Sequence, residues 1–162
     1  VSAGRRALFL DWGGTIVLTR EHRTVLDAGG QPVLMPNVAA TVARERERYD
    51  ACFIVSNQAR VSRGEISEAE VFRRFAAVDD RLGHPFAGWR ICPHTDEDRC
   101  ACRKPSPAMF LDLAAAHGVD LRASLHVGDS EKDRQAALAA GIGEFRWAAD
   151  FFGWRGASWS AG

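Results

Sequence analysis

Apolar residues in this chain gather in short runs separated by stretches of helical period, and that pattern predicts its architecture. The runs are Ala7–Leu10, Cys52–Ser56, Trp89–Cys92, Leu125–Gly128 and Glu144–Trp147. The first, second and fourth are apolar almost throughout, as in strands covered on both faces. Between the runs the period lengthens. Asn37 is placed to cap a helix reaching about Tyr49, with Val38 and Val42 on one face and the charged run 44–48 as its solvated end. Ser67 and Glu70 read as a capping box opening a helix to about Leu82, with Val71, Phe72, Phe75, Val78 and Leu82 inward. Pro107–His117 and Lys132–Ala140 are further helices, ended by Gly118 and Gly141.

Strand and helix in alternation predict an α/β fold, a doubly wound (Rossmann-like) parallel sheet of about five strands with right-handed crossovers. The expectation is one domain over residues 1–162, without a cap. Ligands of such sheets sit beyond the carboxyl ends of the strands. Segment 19–36, loop-like in composition, is expected to hang over that same edge.

Composition narrows the classes. Twenty-one basic residues balance twenty-one acidic ones, which argues against general nucleic-acid binding but leaves room for a local basic pocket. No apolar run is long enough to cross a bilayer as a helix. Residues 1–6 lead straight into the first strand-like run, so the expectation is a cytoplasmic protein without a leader or membrane partner. Three of the four cysteines fall between positions 92 and 102, and Cys52 lies in a strand-like run. That clustering points to a local metal site rather than a disulfide framework.

The chemistry-bearing residues follow the strands. Asp11, then Trp12, Gly13 and Gly14, follow the first; Ser56 and Asn57 close the second; Asp129 to Asp133 follow the fourth; Arg103 and Lys104 precede Pro105. Carboxylates, a lysine and hydroxyl or amide groups at strand ends are what phosphoryl transfer through a carboxylate nucleophile requires.

The motifs FLDWGGT (9–15), VSNQ (55–58), CRKP (102–105) and VGDSEKD (127–133), in this order, resemble those of the haloacid dehalogenase-like (HAD) superfamily. The resemblance spans roughly residues 7–141. Cys92-Pro-His94, then Cys100-Ala-Cys102-Arg-Lys-Pro, is similar to the zinc loop of its capless heptose-bisphosphate and histidinol-phosphate phosphatases. The resemblance implies Asp11 as nucleophile, Ser56 and Asn57 as phosphate ligands, and Lys104 as neutraliser of the Asp11–phosphate pair. It further implies Arg103 as a substrate contact, Mg2+ on Asp11, Gly13 and Asp129, and Asp133 in support. Structural Zn2+ would sit on Cys92, His94, Cys100 and Cys102, three thiolates and one imidazole completing a tetrahedron. The implied substrate is a small sugar phosphate or a histidinol-phosphate-like compound.

Gly13 departs from the family, whose phosphatases carry an aspartate there as general acid and base. Such catalysis contributes on the order of 10^2 to 10^4 in rate. Four readings stay open: a leaving group that needs no proton; another acid, with Glu21 and His22 within the loop after the first strand; an acid carried by the substrate; or ligand binding without turnover. Ser130 replaces a lysine common in the heptose-phosphate enzymes, which counts against heptose bisphosphate as substrate. A polynucleotide 3′-phosphate is a further alternative, opposed by the neutral charge. His126 is expected to be a core histidine, and Trp147 with some tail phenylalanines to close the core.

Overall fold

The apolar runs become strands because both of their faces are covered. The computed structural model describes residues 3–154, and its elements in chain order are β1 (Ala7–Leu10), β2 (Thr19–Arg20), β3 (Arg23–Thr24), α1 (Val38–Glu45), β4 (Ala51–Asn57), α2 (Glu68–Arg81), β5 (Phe86–Cys92), α3 (Ala108–His117), β6 (Leu125–Gly128), α4 (Glu131–Ala140), β7 (Glu144–Trp147) and α5 (Ala148–Phe152). The main sheet runs β5-β4-β1-β6-β7, and every pairing in it is parallel. This is the doubly wound sheet expected. No helix among the described residues is long and apolar enough to cross a membrane.

Alternate residues of β1 enter opposite cores. Leu8 and Leu10 pack with Val38, Val42, Val71, Phe75 and Phe152, so α1, α2 and α5 cover that face. Ala7 and Phe9 pack with Met109, Phe110, Leu113, Ala136 and Ala137, so α3 and α4 cover the other. Phe9 stacks on Phe53 at 5.5 Å and meets Phe110 edge-on at 5.2 Å. Burying such a ring contributes roughly 1.5–3 kcal/mol. The central strand is thus held from both sides, and its carboxyl end has little freedom to drift.

Several local expectations are corrected. Asn37 does not cap α1: its backbone is left-handed (φ 64) and its side chain makes no cap bond. Instead Nδ2 donates to the carbonyl of Phe152 at 3.0 Å, tying α1 to the end of α5. Ser67 caps α2 by accepting from the N–H of Glu70, but the Glu70 carboxylate turns outward to Arg73 and Arg74, so the box is not reciprocal. Trp147 lies on the edge strand and is 39% exposed, while Phe151 and Phe152 close the core. Trp154 donates its indole N–H to the Pro36 carbonyl at 2.7 Å; Trp159 lies outside the described residues.

Segment 19–36 is not simple loop. It contains the β2–β3 hairpin, in which Arg20 pairs with Arg23. Its two central residues, Glu21 and His22, both have positive φ (50° and 60°). A two-residue hairpin turn demands that geometry and is normally built with Asn and Gly. Each side chain held there costs roughly 1–3 kcal/mol.

Candidate active site

The carboxyl ends of β1, β4 and β6 converge, as the topology of an open parallel sheet requires. Asp11 continues β1, Ser56 and Asn57 end β4, and Asp129 follows β6. Lys104 enters from the segment between β5 and α3. Its backbone is fixed by one side chain: Asn57 Nδ2 donates to the Lys104 carbonyl (3.1 Å), and the Lys104 N–H donates to Asn57 Oδ1 (3.0 Å). The Lys104–Pro105 peptide is cis.

The Lys104 side chain is 3% exposed. Its Nζ donates to Asp11 Oδ1 at 3.0 Å, to Asp133 Oδ1 at 2.6 Å and to the Val55 carbonyl at 2.9 Å. An ammonium has three protons, and all are used. Asp133 is also saturated. Its Oδ2 accepts from the Asp129 N–H, the Ser130 N–H and the Ser130 hydroxyl. Ser130 and Asp133 form a reciprocal capping box at α4, with Ser130 as its cap. His126 bridges the Phe9 carbonyl (3.0 Å) and Asp133 (3.4 Å), fully buried. It is the satisfied core histidine expected, although its second partner belongs to the site.

Asp129 reaches Asp11 because Gly14 lets it. A Cβ at Gly14 (φ 75) would fall 2.1 Å from Asp129 Oδ2. Oxygens of Asp11, Asp129 and Asp133 lie within 4.8 Å of one another. Three carboxylates against one ammonium leave two negative charges in excess. Burial, then the neighbouring Asp133, push Asp11 up to about 8 against the pull of Lys104. The same two causes raise Asp129, which opens onto the cleft. Burial would raise Asp133 too, but Lys104 and His126 hold it well below the usual carboxylate range. Lys104 is raised, because Asp11 and Asp133 outweigh the desolvation that opposes its charge. An all-oxygen site that carries two excess negative charges once Asp11 is ionised fits a hard divalent cation. Asp133, spent on Lys104 and the helix cap, leaves Asp11 and Asp129 as the carboxylates free to hold it.

A second cluster lies in the segment after β5. Cys92, His94, Cys100 and Cys102 bring one ligand atom each within 4.8 Å of one another. Their sulfur–sulfur separations are 3.4, 3.0 and 3.6 Å, and His94 Nδ1 lies 3.5 and 3.3 Å from Cys92 and Cys102. Tetrahedral zinc with bonds near 2.3 Å sets its sulfurs about 3.8 Å apart, so the cage fits after a slight opening. Arg103 is bound to this loop, its Nε donating to Asp96 Oδ1 (2.8 Å) and Nη1 to the His94 carbonyl (3.1 Å).

Asp11, Gly13, Ser56, Asn57, Arg103, Lys104, Asp129 and Asp133 all line one cleft of about 480 Å³. The cysteine cluster stands outside that lining. The cleft is also lined by Thr19, His22 and Thr24 of the hairpin, from the segment expected to hang over this edge, and by Arg60, Arg63, Arg74 and Lys132. Lys132 donates to the Asp96 carboxylate that also holds Arg103.

The chain belongs to the haloacid dehalogenase-like hydrolase family, whose model matches residues 5–141. It is 39% identical over 162 aligned residues to a D-glycero-beta-D-manno-heptose-1,7-bisphosphate 7-phosphatase of Rhodopseudomonas palustris, covering 90% of this chain and 85% of that protein. A protein of the same name from Vibrio cholerae is 34% identical, with 85% and 77% covered. Among solved structures, the D,D-heptose 1,7-bisphosphate phosphatase of B. bronchiseptica, complexed with magnesium and phosphate, superposes with a TM-score of 0.75. It is 28% identical, covering 86% of this chain and 78% of that one.

Proposed function

We propose that this protein is a Mg2+-dependent phosphohydrolase of a small phosphorylated sugar, acting through a phosphoryl group carried on Asp11. The buried Asp11–Lys104 pair at the end of the central strand carries the reading. The described chain would act as one capless unit, with loop 92–102 as its zinc loop.

In the first step the Asp11 carboxylate attacks phosphorus and the sugar oxygen leaves; in the second, water attacks the same phosphorus and frees Asp11. Lys104 offsets negative charge as Asp11 and the phosphoryl group approach. Asn57 acts through Lys104, whose backbone it holds on both sides, while Ser56 and Arg103, which line the same cleft, would bind the phosphoryl oxygens. Magnesium held by Asp11, Asp129 and the Gly13 carbonyl would supply further charge neutralisation at the transferring group. Zinc on the four cysteine and histidine ligands would leave no open position, which suits a brace for Arg103 and Lys104 rather than a reagent.

Cleft cations support an anionic sugar: Arg60, Arg63, Arg74 and Lys132 line the cleft with Asp11, although Arg60, Arg74 and Lys132 also hold Glu65, Glu70 and Asp96. The relatives' heptose bisphosphate carries two phosphates, and a second anionic group suits that arrangement. Gly13 favours one rival, a protein that binds such a ligand without turning it over. Phosphate release from a panel of sugar phosphates with Mg2+, wild type beside Asp11→Asn, separates the two. Turnover that falls by ~10^4-fold or more in Asp11→Asn supports the proposal. Mg2+-dependent binding with no phosphate released by wild type overturns it.

A further inference from the structure

Accepting the aspartyl-phosphate reading leaves one task without a residue: protonating the departing sugar oxygen, since Gly13 has no side chain. We propose that His22, at the tip of the β2–β3 hairpin, is the catalytic acid and base of this protein.

Three observations converge on it. First, the hairpin stands where the missing side chain would go: a Cβ at Gly13 would meet Thr19 Cγ2 at 2.9 Å. The hairpin is anchored there by Trp12, whose indole N–H donates to Thr24 Oγ1 at 3.0 Å. Second, its turn holds His22 in a left-handed conformation (φ 60) without glycine or asparagine, a strain commonly retained where a side chain's aim matters. His22 lines the cleft with Asp11 and Lys104, whereas its neighbour Glu21 does not. Third, elimination among the lining residues leaves it alone. Asp11 is the nucleophile, and Asp129 belongs to the cation site. Lys104 and Asp133 hold each other. Lys132 is paired with Asp96, and the arginines do not release protons. Imidazole is the side chain suited to give and retake a proton near neutral pH.

The step balances. As the phosphorus–oxygen bond to the sugar breaks, the imidazolium of His22 gives its proton to the departing oxygen, leaving an alcohol and a neutral imidazole. Water then attacks the phosphorus on Asp11 while that imidazole takes a proton from it. Inorganic phosphate leaves, Asp11 is a carboxylate again, and the imidazolium is restored.

The experiment uses the metal-loaded protein as wild type, His22→Asn, which tolerates a left-handed backbone, and His22→Gly. Single-turnover release of the leaving group is compared for 4-nitrophenyl phosphate, which needs no proton, and an alkyl sugar phosphate, which does. We expect the alkyl reaction to slow 10^2- to 10^4-fold in both variants, with the 4-nitrophenol burst unchanged within about threefold. After that burst the phosphorylated Asp11 accumulates, because its hydrolysis has lost a base. Free imidazole restores part of the alkyl rate in His22→Gly. Equal loss on both substrates, no loss on either, or a wild type that cleaves only the activated ester overturns the role of His22. A wild type inert toward both esters removes the phosphohydrolase reading itself.

Discussion

The two ligand clusters of this molecule are built in opposite ways. Cys92, His94, Cys100 and Cys102 come from eleven consecutive residues, whereas Lys104 meets an aspartate 93 positions earlier and another 29 later. One offers soft thiolates in a closed cage, the other hard oxygens at the floor of a cleft. The first can assemble whenever its loop and metal meet; the second exists only when the whole sheet has formed. Between them stand Arg103 and Lys104, each held by one side: Arg103 by the His94 carbonyl and Asp96, Lys104 by the carboxylates.

Removing the thiolate cage should have the largest effect on stability. Cys102→Ser is expected to lose bound zinc and lower the melting temperature by on the order of 10 °C, since structural zinc contributes directly to folding. Zinc content by mass spectrometry and a thermal melt check both. A melt unchanged in a metal-free sample would end the view of that loop as a brace. Lys104→Met comes next. It strands Asp11 and Asp133 without their cation, and breaking such a buried pair costs about 3–5 kcal/mol. Urea denaturation should show the loss, with zinc still bound; loss of zinc as well would mean that the clusters are not separable.

The smallest effect concerns pH. Asp11, raised from an ordinary 3.8 to about 8 by burial and Asp133, keeps a proton in the folded, metal-free protein that the unfolded chain gives up near pH 4. The folded state then binds more protons than the unfolded one, so this group's contribution makes stability fall as pH rises from about 4 to 8. Asp133, depressed instead, acts below that window. Added Mg2+ should therefore raise the melting temperature by a few degrees more at pH 8 than at pH 6. An equal increment at both would remove Asp11 from the cation site.

Legibility in the sequence follows the same division. The cage was readable because its ligands are neighbours. β1, β6 and β7 were readable to the residue, the first two because their runs are bounded by sharp changes in polarity. β5 begins at Phe86, three residues before its apolar run, because Pro85 and Gly88 disguise its start as a turn. The hairpin was invisible: Glu21 and His22 are not the residues its turn normally uses. Asp11 and Asp129 were legible from their places after strands, and Lys104 and Arg103 from theirs after the cysteine loop, but the arrival of Arg74 and Lys132 in the cleft was not. They reach it from helices whose spacing carries no mark of a shared destination. Asp133 was legible only in part, since one carboxylate serves both the start of α4 and the charge of Lys104.

The contact between Thr19 and the empty side of Gly13 also constrains how this protein can change. An aspartate introduced at position 13 meets the threonine methyl before it meets any substrate. A change of Thr19 to serine removes that methyl and keeps the hydroxyl, clearing the way for position 13 to follow. The reverse order passes through a crowded intermediate. The two positions are thus coupled for laboratory evolution: a library that varies residue 13 alone requires the Thr19 methyl to turn aside, and one that varies both removes the contact.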